Sequence, residues 1–173
     1  MTLRISIDDE APDFDLSSTE DALLTLRDEV PRSLVVLYFF RDPESERVRS
    51  DLAELAAAWD SLGRSHVKVL AVAPAKLPVL KALQVELGLP FALLRDDRDF
   101  LERYGLEALE EGQADLPALY LVNRKQVVIW LENPLTSMTA ALVAVGAALK
   151  SQGSPTSGYP ASVINRLVDH WVN

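Results

Sequence analysis

The chain has 173 residues, a formal net charge of −9 and no cysteine. Its length is sufficient for one domain with a full hydrophobic core, and 49% apolar with 25% charged residues is ordinary for a soluble globular protein. The negative charge argues against general nucleic-acid binding and against attraction to anionic membranes, because both need clustered Lys and Arg. The lack of a thiol excludes disulfides, zinc–thiolate sites, iron–sulfur clusters and cysteine nucleophiles.

The sequence gives little support for metal, cofactor or membrane chemistry. A multi-histidine metal site would need His66 and His170 to meet, and these two histidines lie far apart in the sequence. The acidic stretches at 8–15 and 96–99 lack the glycine-punctuated spacing of a calcium loop. We therefore predict no metal and no cofactor. The N-terminal residues contain no apolar signal-peptide core, and no apolar run reaches the length of a membrane span, so a cytoplasmic location is expected.

The first clear element is the apolar run SLVVLYFF at 33–40, which predicts a central strand covered on both faces. A helix is expected directly after it. Asp42 is a suitable N-cap, Pro43 suits the first helical position, and Gly63 comes just past the expected end. One apolar stripe recurs along this helix at helical spacing, formed by Val48, Leu52, Leu55, Ala56 and Trp59.

The same alternation of strand and helix continues along the chain. The patterns predict strands at 66–73, 91–96, 118–123 and 126–131, and helices at 76–88, 97–105 and 137–150. Such an order favours an α/β fold with a mostly parallel sheet and helices on both faces. The loop between the last two strands is so short that they must pair antiparallel.

The C-terminal part of the chain differs from this pattern. Residues 151–160 are rich in Ser, Gly and Pro, which is typical of a linker. Residues 161–173 predict an amphipathic helix whose wide apolar face should dock on the domain or on a partner chain. The expected organisation is therefore one domain at 1–150, a linker and a terminal helix.

Three stretches resemble the peroxiredoxin (AhpC/TSA) family of the thioredoxin-like superfamily. DDEAPDFDL at 8–16 is similar to the family's opening motif, and LVVLYFFRDPESERV at 34–48 is similar to the strand that leads into its catalytic helix. The segment 67–106 and the later LPALYLVNRKQVVIWL follow the family's subsequent elements. The resemblance implies a peroxiredoxin-type thioredoxin-like sandwich, with a central mixed β-sheet and helices on both faces.

The family's catalytic positions are mostly replaced in this chain. The resemblance puts the motif's proline at Arg41, its Thr/Ser at Ser45, its peroxidatic cysteine at Val48 and its peroxide-binding arginine near Pro117. Ser45 is the one acceptable match. Peroxide reduction in the family requires a thiolate, and a valine side chain has no lone pair to offer. A thiol peroxidase mechanism is therefore excluded, and the catalytic set is none.

Two features around this position leave alternatives open. Pro117 can be a cis-proline, as in thioredoxin-like proteins that bind peptides or disulfides, or an ordinary trans proline that begins a strand. The arginines at the helix start are a candidate anion site, although neighbouring glutamates offset their charge. These arginines are Arg41, Arg47 and Arg49, and the glutamates are Glu44 and Glu46.

The sequence favours a non-catalytic peroxiredoxin-like pseudoenzyme that acts by binding a protein partner or a second copy of itself as a homodimer. Nucleic acid, membrane and metal are not expected as partners. The alternative is an enzyme or a small-molecule or peptide carrier that uses non-thiol chemistry in a remodelled pocket near Ser45, Arg41 and Pro117. An open pocket at Val48 would favour this alternative, and a filled position would favour the binding module.

Overall fold

The computed structural model of the protein describes residues 5–96, 104 and 117–152. Residues 153–160 of the predicted linker, the predicted terminal helix and all but Tyr104 of the predicted helix around 97–105 lie outside these residues. Ser151 and Gln152, predicted to begin the linker, belong instead to the last described helix. The described elements, in chain order, are β1 (Asp15–Ser17), β2 (Leu23–Thr25), α1 (Leu26–Glu29), β3 (Leu34–Phe39), α2 (Glu46–Arg64), β4 (Val67–Ala73), α3 (Leu77–Leu87), β5 (Leu93–Arg95), β6 (Ala118–Val122), β7 (Val128–Glu132) and α4 (Met138–Gln152).

Five strands form the main sheet in the order β5-β4-β3-β6-β7. β3 lies at its centre and pairs parallel with β4, which pairs parallel with β5. β6 returns antiparallel beside β3, and β7 pairs antiparallel with β6. The parallel part of the sheet consists of β3, β4 and β5, and β6 with β7 forms the antiparallel hairpin at its edge. The mixed sheet and the antiparallel hairpin are confirmed.

Both faces of β3 are covered, which explains why its sequence is apolar without interruption. Successive side chains of a strand point to opposite faces. Leu34, Val36 and Tyr38 pack on one side, in a core that also contains residues of α2, α3 and α4. Val35, Leu37 and Phe39 pack on the other, with α1, the N-terminal segment and Tyr104. All six residues of the strand are buried.

The start of α2 differs from the prediction. Ser45, and not Asp42, is the N-cap residue, so the helix begins three residues later than expected. The Asp42 carboxylate instead accepts a hydrogen bond from the backbone amide of Glu44, at 2.8 Å, which fixes the preceding turn. At its other end α2 includes Gly63 and continues to Arg64. α3 ends as predicted, with Gly88 in the left-handed conformation at φ 61°.

Three short elements near the N-terminus were not predicted. β1 and β2 form a separate two-stranded antiparallel sheet, and the single turn of α1 follows β2 directly. Across the described residues, none of the helices is both long and apolar enough to cross a membrane.

Candidate functional site

Ser45 and Val48 share the first turn of α2, just beyond the end of the central strand. Ser45 has an extended backbone conformation, and its hydroxyl oxygen accepts a hydrogen bond from the Val48 amide at 3.3 Å. A serine in this role satisfies one of the backbone amides that a helix start leaves without a partner. The hydroxyl that the sequence marks as a candidate pocket residue is therefore used to begin the helix.

Val48 is completely buried, with an exposed fraction of 0%. It belongs to the core that contains Leu52 and Leu55 of the same helix and Tyr38 and Phe40 from the strand side. The position that the family motif gives to a reactive cysteine is thus occupied by a packed apolar side chain. The Val48 side chain therefore fills this position and leaves it closed to solvent.

A polar network surrounds the buried Asp51 carboxylate, one helical turn beyond Val48. The Tyr38 hydroxyl donates a hydrogen bond to the Asp51 carboxylate at 2.9 Å, and Arg47 Nε donates to the same carboxylate at 3.1 Å. Arg47 Nη2 also donates to the backbone oxygen of Leu135 at 2.8 Å. These four residues, Tyr38, Arg47, Asp51 and Leu135, are called the Asp51 network below.

The electrostatics of the Asp51 network follow from its burial. The Asp51 side chain is 5% exposed, and removal from water raises the pKa of its carboxyl. The Tyr38 hydroxyl and the Arg47 guanidinium act in the opposite direction, whereas Glu54 adds to the rise. Burial, followed by the charge of Asp51, also raises the pKa of Tyr38 far above its ordinary value. Tyr38 therefore serves as a hydrogen-bond donor at all physiological pH values.

Two signals in the sequence could have located this network. Arg47 and Asp51 are separated by four residues, the spacing at which charged side chains meet on a helix surface. Tyr38 has a hydroxyl in an otherwise apolar strand, and a buried tyrosine hydroxyl usually finds a partner. Neither signal identifies Leu135, because it is distant in sequence from the other three residues.

Pro117 is buried at the start of β6, close to the same network. Its backbone oxygen accepts a hydrogen bond from the Leu135 amide at 2.7 Å. Leu135 therefore forms backbone hydrogen bonds with both Pro117 and Arg47. It links the start of α2 to the residue that precedes β6. Whether the Leu116–Pro117 bond is cis or trans lies outside the described residues, since Leu116 is not among them. Among the described residues, Asn133–Pro134 is a cis peptide bond.

Two of the arginines at the helix start, Arg47 and Arg49, are paired with carboxylates. Arg49 Nη1 lies 2.7 Å from Glu86 of α3, and its Nη2 lies 3.7 Å from Glu44. This pairing lowers the pKa of Glu86. A cleft of about 350 Å³ between α2 and α3 is lined in part by these three side chains. Because Arg49 and Arg47 already face carboxylates, the arrangement does not favour the anion site that the sequence suggested. Arg41 is partly exposed in the preceding turn.

Comparison with known proteins gives the same fold and also identifies the family. A sequence profile described as the AhpC/TSA family matches residues 7–131. The chain belongs to the AhpC/TSA family. The match extends from the N-terminal segment into β7 and so includes the helix start with Val48. No curated protein matches the chain.

Solved structures similar to this AhpC/TSA-family protein include several peroxiredoxins. The peroxidoxin BcpB of Mycobacterium tuberculosis has a TM-score of 0.77 at 13% identity, over 86% of this chain and 98% of that one. The bacterioferritin comigratory protein of Xanthomonas campestris has a TM-score of 0.72 at 16% identity, over 82% and 92%. A yeast mitochondrial peroxiredoxin gives 0.71 at 14%, over 86% and 78%. At these identities the likeness establishes the thioredoxin-like peroxiredoxin fold alone.

Proposed function

We propose that this AhpC/TSA-family protein does not reduce peroxides and acts as a binding or regulatory module for a protein partner or for a second copy of itself. The observation that carries the proposal is the complete burial of Val48 where the family motif has its cysteine. Thiol chemistry needs an accessible thiolate, and this chain has no cysteine at any position.

The surroundings of Val48 support the same proposal. Ser45 caps the helix, and Asp51 and Arg47 bind each other. Pro117 is buried and hydrogen-bonded through its backbone. A carrier or an enzyme with non-thiol chemistry would need an open pocket among these residues, and the filled position at Val48 argues against it. No described observation favours that alternative over the binding module.

Peroxide consumption by the purified protein tests the proposal directly. With a thiol reductant present, the wild-type chain is expected to consume no hydrogen peroxide or alkyl peroxide beyond the rate of the buffer. Peroxide turnover by the wild-type chain would overturn the proposal. The double variant Val48→Cys with Pro117→Arg reports separately on the pocket. Turnover in that variant would show that the site lacks only the cysteine and the arginine side chains. An unreactive thiol would show that the pocket itself is closed.

Self-association is the part of the proposal that is simplest to measure. Val85 is 81% exposed on α3, the largest exposure among the described large hydrophobic residues, and Val79 on the same helix is 42% exposed. Sedimentation velocity over a wide concentration range should show a dimer for the wild-type chain. Val85→Lys is expected to weaken a dimer that uses α3, whereas Leu23→Lys on β2 tests a different exposed position. A monomer at all concentrations would rule out the homodimer, and the proposal would then rest on binding to a different protein.

A further inference from the structure

We infer that a pocket between the N-terminal segment and the end of β7 binds a partner protein through an aromatic side chain that is flanked by Lys or Arg. This inference rests on the proposed binding role and gives it a surface and a kind of partner. The pocket has a volume of about 470 Å³, which is ordinary for a ligand-binding pocket. Its described lining residues are Ile5, Ser6 and Ile7 on one wall and Leu131 and Asn133 on the other.

Backbone hydrogen bonds hold the two walls beside each other. The Asp8 amide donates to the Val128 oxygen at 2.8 Å, and the Val128 amide donates to the Asp9 oxygen at 2.9 Å. The residues before Asp9 form a tight turn, in which the Asp9 amide donates to the Ser6 oxygen at 3.1 Å. The Ser6 amide donates in return to the Asp9 carboxylate at 2.8 Å. The pocket is therefore formed before a partner arrives.

The pocket is mainly apolar and partly open to solvent. Ile7 is 51% exposed, whereas Ile5 and Leu131 are half-buried and pack against the core that α1 and the N-terminal segment cover. Val48 belongs to the core on the other face of the sheet. An apolar side chain that entered the pocket would remove this surface from water, and its binding would not involve the position of Val48.

Asn133 adds a hydrogen-bond acceptor to the pocket wall. Its Nδ2 donates to the Tyr120 hydroxyl at 3.2 Å, and this hydroxyl donates its single proton to the Tyr104 oxygen at 2.8 Å. A flipped amide would place two oxygens against each other, so the contact fixes the amide orientation. Asn133 Oδ1 is buried and has no hydrogen-bond partner among the described residues, which is costly. This favours Trp or Tyr in the partner, since each combines an aromatic body with a donor.

Carboxylates border the pocket in the chain. Three belong to the N-terminal segment and one lies within the β7 wall, and they are Asp8, Asp9, Glu10 and Glu132. None of the four forms an ion pair within the part of the chain that the structure describes. The basic residues of the β6–β7 connection, Arg124 and Lys125, lie at the opposite end of β7. The rim is therefore negative and complements Lys or Arg beside the aromatic residue of the partner.

Three capped tripeptides test the inference on the intact chain by NMR titration. The probe is acetyl-Lys-Trp-Lys-amide, and its binding should saturate and shift the methyl resonances of Ile7 and Leu131. Acetyl-Glu-Trp-Glu-amide reverses the charge, and acetyl-Lys-Ala-Lys-amide removes the ring. Each of these two should bind at least about tenfold more weakly, because one repels the rim and the other leaves the pocket unfilled.

A variant of the pocket wall tests the place of binding. Ile7→Gln should weaken binding of the Lys-Trp-Lys peptide by about tenfold, because it removes apolar surface from the pocket. Leu23→Gln is the matched control, since Leu23 is an aliphatic residue on β2 with a similar exposure of 62%. It should leave the affinity unchanged.

A variant of the rim separates local charge from the net charge of the chain. Asp8→Asn combined with Glu10→Gln should weaken binding of the same peptide and reduce its dependence on salt. Glu20→Gln combined with Asp28→Asn removes the same charge at two other exposed positions. This control should change the affinity much less.

Three results would overturn the inference. Equal affinity for the Lys-Trp-Lys and Glu-Trp-Glu peptides would mean that the acidic rim does not select the partner. An equal loss of affinity in Ile7→Gln and Leu23→Gln, or in the two double variants, would mean that the peptide binds without using this pocket. Shifts confined to residues away from the pocket would place binding elsewhere. The peptide comparison needs no variant to fold, and its failure would leave the peroxide test of the proposed function unaffected.

Discussion

The hydroxyl oxygen of Ser45 lies 3.3 Å from the backbone nitrogen of Val48 and accepts its hydrogen bond. The resemblance to the family motif gives these two positions to a Thr/Ser and to the reactive cysteine, and in this chain the contact between them caps a helix. Ser45 begins the helix, and Val48 places its first buried side chain in the core. Both residues therefore help to fix the start of α2 against the core.

Ser45→Ala should lower the free energy of unfolding by about 0.5–2 kcal/mol, because it removes the N-cap oxygen of α2. Ser45→Asp should retain most of the stability, since aspartate is an equally good cap and its charge suits the helix start. Urea unfolding followed by circular dichroism measures both. Ser50→Ala, at an exposed position inside the same helix, is the control and should change little. A loss as large for Ser50→Ala as for Ser45→Ala would contradict the capping role.

Tyr38→Phe should cost about 1–3 kcal/mol of unfolding free energy, because it leaves the buried Asp51 carboxylate with one donor fewer. The hydroxyl and the carboxylate oxygen are 2.9 Å apart, and both side chains are buried. In an Asp51→Asn background the same change should cost clearly less, since the charged acceptor is already gone. A double-mutant cycle from urea unfolding gives this difference. Identical costs in the two backgrounds would show that the Tyr38 hydroxyl acts through another contact.

The pH dependence of stability should show the raised pKa of Asp51. Its carboxyl titrates higher in the folded chain than in the unfolded chain, mainly because it is buried. Between the two pKa values the folded chain binds more protons, so this contribution to stability grows as the pH falls and is lost as the pH rises through the folded pKa. Arg47, Tyr38 and Glu54 are the charged or polar groups that act on it among the described residues.

The measurement is the difference in unfolding free energy between wild type and Asp51→Asn, followed from neutral pH down to about pH 4, near the ordinary carboxyl pKa. Carboxylates common to both proteins cancel in this difference. The difference should move in favour of the wild type as the pH falls. Movement in favour of Asp51→Asn would mean that the guanidinium of Arg47 lowers the carboxyl pKa by more than burial raises it.

The sequence predicts those parts of the fold that depend on local periodicity. The uninterrupted apolar run of β3 predicts a strand with two covered faces, and Gly88 predicts the end of α3. The sequence predicts the start of α2 wrongly because Asp42 and Ser45 are both good caps. The Asp42 carboxylate accepts a hydrogen bond within the preceding turn, which leaves Ser45 as the cap. β1 and β2 have three residues each, which is too short for a clear strand pattern.

The candidate site could be predicted only in part, for a different reason. The family motif identifies Ser45 and Val48, but their surroundings depend on residues that are distant in the sequence. Arg47 and the Leu135 oxygen are 88 residues apart and 2.8 Å apart in space. No periodicity or short motif encodes such a pair, so the contact of Arg47 with Leu135 can be identified only in the folded chain.

The ion pair between Arg49 and Glu86 should be visible in the titration of Glu86. The guanidinium donates a hydrogen bond to the carboxylate at 2.7 Å and lowers its pKa. Arg49→Gln should return the pKa of Glu86 to its ordinary range, as followed by side-chain carboxyl NMR, and added salt should raise it partway in the wild type. Global stability should change little, because such surface pairs contribute weakly. Lys81→Gln breaks another ion pair on α3, with Asp21, and should leave Glu86 unchanged. If Lys81→Gln moves the pKa of Glu86 as much as Arg49→Gln does, the shift comes from the general charge of α3 and not from the contact with Arg49.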